Sequence, residues 1–379
     1  MMLDLHEGKP SPGTCASTAE CAPGEVCDPA WKQCLGACVA GERRCDKLRP
    51  RVCGANGEWT ALGLECSNGC RNGYCEEAKS CRLEPRCGDG EASCCEVKAI
   101  EGGTFQLPND PRSDGVGSVE RSVSPFALDR FEVTIGRFRR FILAYDDVGR
   151  PRPGDGAHPN IPGSGWQDAW TRQRGLLPDA SSGLNTLLTS CGQTTDGSIP
   201  EDTAVGCVNW YMAAAFCIWD GGRLPTEAEW TFAAMGGDEQ RIYPWSMNDH
   251  DVHIDAERAF YHDDESSPAA VGPAAVGGRA RSSGRFGNED MAGNVWEWVA
   301  DAHHAALRKG PCHSDVPAAL AQRDCEELDV SGQRVQKGGS YLNAGDMLKN
   351  HVRGEEAPER RKPQYGFRCA RDLDQTARP

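Results

Sequence analysis

Fourteen of the 20 cysteines in this chain of 379 residues lie between Cys15 and Cys95, and only six lie beyond. No other sequence feature constrains the fold as strongly. Disulfides persist in oxidising compartments and are rare in cytosol, so a dense, even-numbered cysteine set predicts an exported protein stapled at its N-terminal end. A zinc module is the competing reading. It is disfavoured because the close spacings are Cys34-x3-Cys38 and Cys66-x3-Cys70 with no Cys-x-x-Cys knuckle, and no histidine falls between residues 7 and 157.

The spacing divides these cysteines into three even groups: Cys15, Cys21, Cys27 and Cys34; Cys38, Cys45, Cys53, Cys66, Cys70 and Cys75; and Cys81, Cys87, Cys94 and Cys95. Each reads as a small loop-rich knot with two or three bridges, whose connectivity the sequence leaves open. The expected organisation is a leader or linker at 1–14, cysteine-rich modules at 15–95 and a globular domain at 96–375. A spacer that holds the domain off a surface is favoured for the modules over a recognition role. The opening "MMLDLHEGKPSPGT" has neither a basic start nor an apolar run, so it does not read as a secretory signal. A trimmed signal or lipoprotein leader upstream would reconcile it with the cysteines, and the expected location is secreted or cell-surface.

A formal net charge of -15 repels phosphate and argues against nucleic acid as a partner. No apolar run approaches the roughly 20 residues that span a bilayer. Beyond residue 96 the pattern is α+β with many loops, and 44 glycines suit a scaffold whose sites are built by loops. Thr134 is a candidate N-cap for a helix carrying Phe138, Phe141 and Ile142 on one face. A buried helix is expected across Trp210 to Trp219, stopped by Gly221 and Gly222. Thr226 and Glu229 then form the capping box of the next helix. Residues 147–200, rich in Gly, Pro, Ser and Asp, read as surface loop with occasional short structure. Trp210, Trp219, Trp230, Trp296 and Trp298 are expected in the core.

The ordered set "EGGTF", "FEVTIGRF", "RLPTEAEW", "GNVWEW", "KGGSY" and "GFRCAR" resembles the formylglycine-generating enzyme family, also called the sulfatase-modifying-factor family. The cysteine-rich run into "EGGTF" is similar to secreted, lipoprotein-type bacterial members. The resemblance implies a compact, loop-rich fold related to C-type lectins. It also implies, for active members, oxidation of a sulfatase cysteine to formylglycine with dioxygen and a copper(I) ion on two cysteine thiolates, soft ligands for a soft ion. The family's two copper cysteines fall at Asn343 and Leu348 of this chain, and residues 338–354 contain no cysteine. The copper chemistry is therefore not expected. The expected role is binding or structural, with a protein, peptide or glycan as ligand and a recognition loop made of Tyr341, Asn343, Asp346, Lys349, His351 and Arg353.

By resemblance Cys217 pairs with Cys369, and proximity in sequence suggests Cys191 with Cys207 and Cys312 with Cys325. The family's second calcium position maps onto Asp290, Gly293, Val295 and Glu297, where carboxylates and carbonyls offer the hard oxygens calcium takes. The other calcium position has Phe260 where the family carries Asn. His250, His253 and His262, with His351 further along and Asp251, Asp263, Asp264 and Glu265 nearby, leave a different metal-dependent oxidoreductase as the alternative. A solvated polar loop is the commoner meaning of such a cluster. His303 and His304 are adjacent and cannot share one helix face.

Overall fold

In the computed structural model, the described part of the N-terminal region is residues 26–28, 33–35, 38, 42–54, 58–61, 66, 70–71 and 74–75. Beyond them it describes 78–373 except 82–85, 88–91, 110–116, 149, 172–182, 192–198, 248–249, 263–271, 305–323 and 325–331. The chain forms two compact units, Met1–Glu76 with Leu373–Pro379, and Glu77–Asp372. The first is built on short antiparallel strands such as Arg43–Asp46, Arg49–Cys53 and Trp59–Ala61, with bridges Cys38–Cys53 and Cys45–Cys70. Both pairs stay inside the second cysteine group.

The third cysteine group belongs to the large unit, whereas the sequence reading drew the boundary at residue 95. Its bridges are Cys81–Cys95 and Cys87–Cys94. Cys87 and Cys94 pack with Phe131, Ala204, Val276 and Val295. Ser80, fully buried, sits in a charge network. Its N–H donates to Asp220 Oδ1 at 2.7 Å and its Oγ accepts from Arg137 Nε at 3.0 Å. Arg137 also pairs with Asp129 at 2.9 Å and Asp220 at 2.8 Å, and Arg371 pairs with the same two carboxylates. Two buried guanidiniums thus neutralise two buried carboxylates, the condition for keeping such charges out of water.

The large unit is α+β. Strands β1 (Val97–Ile100), β4 (Phe126–Asp129) and β9 (Ala370–Asp372) form an antiparallel sheet with β4 central. Strands β2 (Gly103–Pro108) and β3 (Ser118–Val123) form a hairpin. The third sheet runs β7 (Gly354–Glu356), β6 (Arg334–Lys337), β5 (Trp296–Ala302), β8 (Tyr365–Gly366), with β5 and β8 parallel. The first and third of these sheets therefore each take a strand from residues 365–372, a segment that Cys217–Cys369 also ties to the middle of the chain with 5.5 Å between Cα atoms. Cys191–Cys207 forms as well. Cys312 and Cys325 lie outside the described residues.

Helix α1 (Ile135–Val148) begins where expected, with the Arg137 N–H donating to Thr134 Oγ1 at 3.3 Å. Short helices α2 (Asp168–Thr171) and α3 (Gly183–Ser190) follow. They are the occasional short structure expected in 147–200, but the surface placement is corrected, because Trp166, Trp170, Leu184, Leu187 and Leu188 join the main core. Glycine and proline there shape a tight chain path, and the sparse large apolar residues still point inward. Helix α4 (Trp210–Trp219) is buried nearly all round and capped by Asn209. Helix α5 (Glu227–Ala234) carries the capping box, with Glu229 N–H to Thr226 Oγ1 at 3.1 Å and Thr226 N–H to Glu229 Oε2 at 2.8 Å. The five tryptophans expected in the core are all buried.

Candidate functional site

The chain leaves β6 through Gly338 and Gly339, whose φ values of 89° and 73° are open only to residues without a Cβ penalty. The turn is stitched to the segment before β5. Gly293 N–H donates to Gly338 O and Tyr341 N–H to Asn294 O, both at 2.9 Å. Beyond it, Asn343 Oδ1 accepts from Ser340 Oγ at 2.7 Å and from Ser340 N–H at 3.0 Å. Asn343 O accepts the His262 N–H. Asn343 thus closes the turn with the two groups its amide oxygen can reach.

Leu348 ends a 3-10 turn, Gly345–Leu348, and is fully buried. It packs with Tyr243, Ala259 and Ala292. It also lies against Gly293 and Gly339 so closely that a Cβ on Gly339 would meet Leu348 Cδ1 at 2.7 Å. The two positions where the resemblance puts copper thiolates therefore hold a turn-closing amide and a core aliphatic. Neither supplies a soft anionic ligand.

Two residues expected on the recognition loop are structural. Tyr341 is buried and stacked near Phe260, with ring centroids 6.1 Å apart. Arg353 is buried in a two-point pair with Glu227, at 2.6 and 2.9 Å, and also donates to His304 O. Glu227 is held below the usual carboxylate range because Arg353 and Lys337 overcome the opposing effect of burial. Asp346 pairs with Lys349 on the surface, Asn343 and His351 are half-buried, and Leu342 and Ala344 are exposed. The outward face of the loop is therefore 342–349, narrower than the expected set. Across Gly345, whose carbonyl accepts the Tyr243 hydroxyl at 3.0 Å, it adjoins the segment with exposed Met247 and Val252.

The turn before β5 holds the predicted calcium residues. Asp290 and Asn294 adopt φ of 55° and 53°. Asp290 is buried and accepts the Gly277 N–H. Burial pushes its carboxyl up to about 6. Glu297 gives both oxygens to other groups: Arg368 Nε and Nη2, each at 2.7 Å, and Trp230 Nε1 at 2.8 Å. Arg368 also donates to the carbonyls of Asp129, Arg130 and Glu289. Calcium takes six to eight oxygens. Here one motif carboxylate is committed to a guanidinium and an indole, and the other to a backbone N–H. In this arrangement the residues do not form a calcium cage.

Sequence reasoning missed Glu132 in "FEVT", a fully buried carboxylate. It accepts from Asn294 Nδ2 at 2.6 Å and Val295 N–H at 3.1 Å. Burial first, then the charges of Asp290 and Glu297, hold its carboxyl well above the ordinary range. It lies within the motif "FEVTIGRF", but that motif does not reveal partners 162 and 163 residues away. Of the candidate histidines, His253 pairs with Asp255 at the surface at 3.0 Å, and His262 meets the 338–354 segment through its backbone. Asp263, Asp264 and Glu265 lie outside the described residues. Among the described residues no group of three or more His, Cys, Asp or Glu side chains converges on a common metal position.

Residues 87–373 match the model of the sulfatase-modifying factor enzyme 1-like domain. The chain is 31% identical over 298 residues to a formylglycine-generating enzyme of Thermomonospora curvata, covering 72% of this chain and 92% of that one. It is 27% identical over 310 residues to the inactive C-alpha-formylglycine-generating enzyme 2 of Bos taurus, covering 74% and 89%. The solved structure of PvdO from Pseudomonas aeruginosa superposes with a TM-score of 0.50 at 20% identity, over 74% of this chain and 96% of PvdO, which supports the fold alone. With its six motifs, its loop-rich α+β core and these matches, the chain belongs to the sulfatase-modifying factor, or formylglycine-generating enzyme, family.

Proposed function

We propose that this chain is an extracytoplasmic binding protein that keeps the family scaffold and has given up copper-dependent formylglycine generation. One observation carries the reading: the two positions aligned with the copper cysteines hold Asn343, bonded to Ser340, and Leu348, buried in the core. Substituting two soft ligands by an amide and an isobutyl group removes the site rather than retuning it. The similarity to an inactive relative is in keeping with this. The six bridges seen among the described residues suit an oxidising compartment, and no described helix is long and apolar enough to cross a membrane.

The recognition surface is the outward face of 342–349 with the adjoining Met247 and Val252, and the ligand is a protein, peptide or glycan. Incubating the full chain with a Cys-x-Pro-x-Arg peptide, copper(I) and oxygen tests the loss of activity. No aldehyde is expected, and stoichiometric aldehyde overturns the reading. Exchanging Leu342, Ala344 and Asp346 together is expected to abolish capture of whatever ligand the wild type retains.

A further inference from the structure

The first unit holds a run of positive charge in an otherwise acidic chain. Five of the ten residues 42–51 are cationic and two are acidic, against a formal net charge of -15 for the whole. Strand register gathers the charges. Across the hairpin Arg44 stands opposite Arg51 and Asp46 opposite Arg49, and because successive side chains alternate between faces, these four share one face. Cys45 and Pro50, both buried, belong to the other face, where Cys45 is bridged to Cys70. The arginine face is therefore the outer one, with Arg49 exposed and Arg44 and Arg51 half-buried. Trp59 of the neighbouring strand, opposite Cys53, lies on the same side, and the Arg44 guanidinium sits 4.3 Å over its ring. Arg51 pairs with Asp46 at 2.6 Å. Like charges directly opposite weaken a strand pair, so Arg44 and Arg51 do not stabilise the hairpin by facing each other. One carboxylate among three guanidiniums leaves the face positive, and exposed Arg43 and Lys47 add charge at its rim.

Arg49 and Arg51 are two residues apart on one strand, a spacing of about 6.8 Å, and Arg44 stands roughly 5 Å across from Arg51. The cations form a short row. Stacking on Trp59 uses the flat side of the Arg44 guanidinium, whereas a guanidinium recognises carboxylates with the N–H groups in its plane. We propose that this face binds a linear polyuronate, a stiff sugar chain with a carboxylate on each ring. The face offers side-chain donors alone, so a flexible acidic peptide would lose more conformational entropy for the same charge contacts. An anionic bilayer finds no apolar anchor at the hairpin turn, because Leu48 and Pro50 are buried. A second copy of the chain is repelled by its net charge. The site lies within the first unit and does not depend on the reading of the loop face 342–349.

Isothermal titration of the full chain with oligogalacturonate at low ionic strength tests the assignment. The comparison arms are the same oligomer methyl-esterified, which keeps the sugar chain and removes its charge, polyglutamate, and vesicles of phosphatidylcholine with phosphatidylglycerol. The acid oligomer is expected to bind at about 0.1 mM or tighter, the ester not at all, and binding should vanish at about 1 M salt, where the screening length is about 3 Å. Replacing three arginines together, Arg44→Gln, Arg49→Gln and Arg51→Gln, should weaken binding at least about tenfold. Arg360→Gln with Arg361→Gln, which removes two exposed cations of the large unit, should leave it unchanged. The proposal fails if the acid oligomer does not bind, if the ester binds equally, if binding survives the salt, or if polyglutamate or the vesicles are preferred. It also fails if the large-unit pair weakens binding as much as the hairpin triple, or if the folded triple binds as wild type does. The wild-type arms decide the matter even if the triple variant does not fold.

Discussion

Leu348→Ala tests the claim that the position aligned with a copper thiolate has become core. Leu348 is fully buried, packed with Tyr243, Ala259 and Ala292 and wedged between Gly293 and Gly339. The glycines are on backbone turns with φ of 92° and 73° that are held by hydrogen bonds to each other's segments, so the space cannot collapse easily. Deleting three carbons at a site that relaxes poorly should therefore cost toward the upper part of about 2–5 kcal/mol. For a unit this large that is a fall in Tm of about 8–15 °C, at roughly 2–4 °C per kcal/mol. Leu348→Cys fills more of the space and should cost about half as much. The assay is urea unfolding followed by tryptophan fluorescence, with the melting temperature read separately. A loss below about 1 kcal/mol for Leu348→Ala would refute the reasoning, since it would mean that the side chain is not packed as described and that the loop is free to house other chemistry.

The paired substitution Asn343→Cys with Leu348→Cys places thiols at both aligned positions. It is expected to bind copper(I) in a competition titration when the wild type does not, and either single variant should bind far more weakly. Arg353→Met leaves Glu227 charged and buried beside Lys337, and should destabilise by about 3–5 kcal/mol. Because Glu227 is held below its usual range, its contribution is present above the unfolded carboxylate value and is lost as pH falls through the folded one, so the penalty should shrink in acid. Asp290 behaves in the opposite sense. Folding raises its pKa from 3.8 to about 6, so its contribution is full below the unfolded value and is lost as pH rises through about 6, a change of about 3 kcal/mol. Asp290→Asn, whose amide oxygen still accepts the Gly277 N–H, should therefore stabilise the chain at pH 7.5 in chelator and not at pH 4. Calcium added at pH 7.5 is expected to leave the wild-type melting temperature unchanged, because Arg368 already neutralises Glu297. A rise seen in the wild type and absent in Asp290→Asn would restore the calcium site.

Six motifs in order were enough for the family scaffold, since they specify caps and core tryptophans that local chemistry dictates: the capping box at Thr226 and Glu229, the helix from Thr134, the buried tryptophans from Trp210 to Trp298. The sequence alone also shows what is missing, because the absence of cysteine from 338–354 needs no coordinates. It misread residues 147–200 for a related reason. Glycine and proline report backbone path, and they do not say whether the few tryptophans along that path point inward. How the side chains are committed emerges in the folded chain alone. Arg353 looked like a loop cation until Glu227, 126 residues away, was found beside it. Glu297 looked like a calcium ligand until Arg368 filled both its oxygens. Buried charges and buried donors take their meaning from partners that folding brings from distant parts of the chain, and a pattern read over ten or fifteen residues cannot contain those partners.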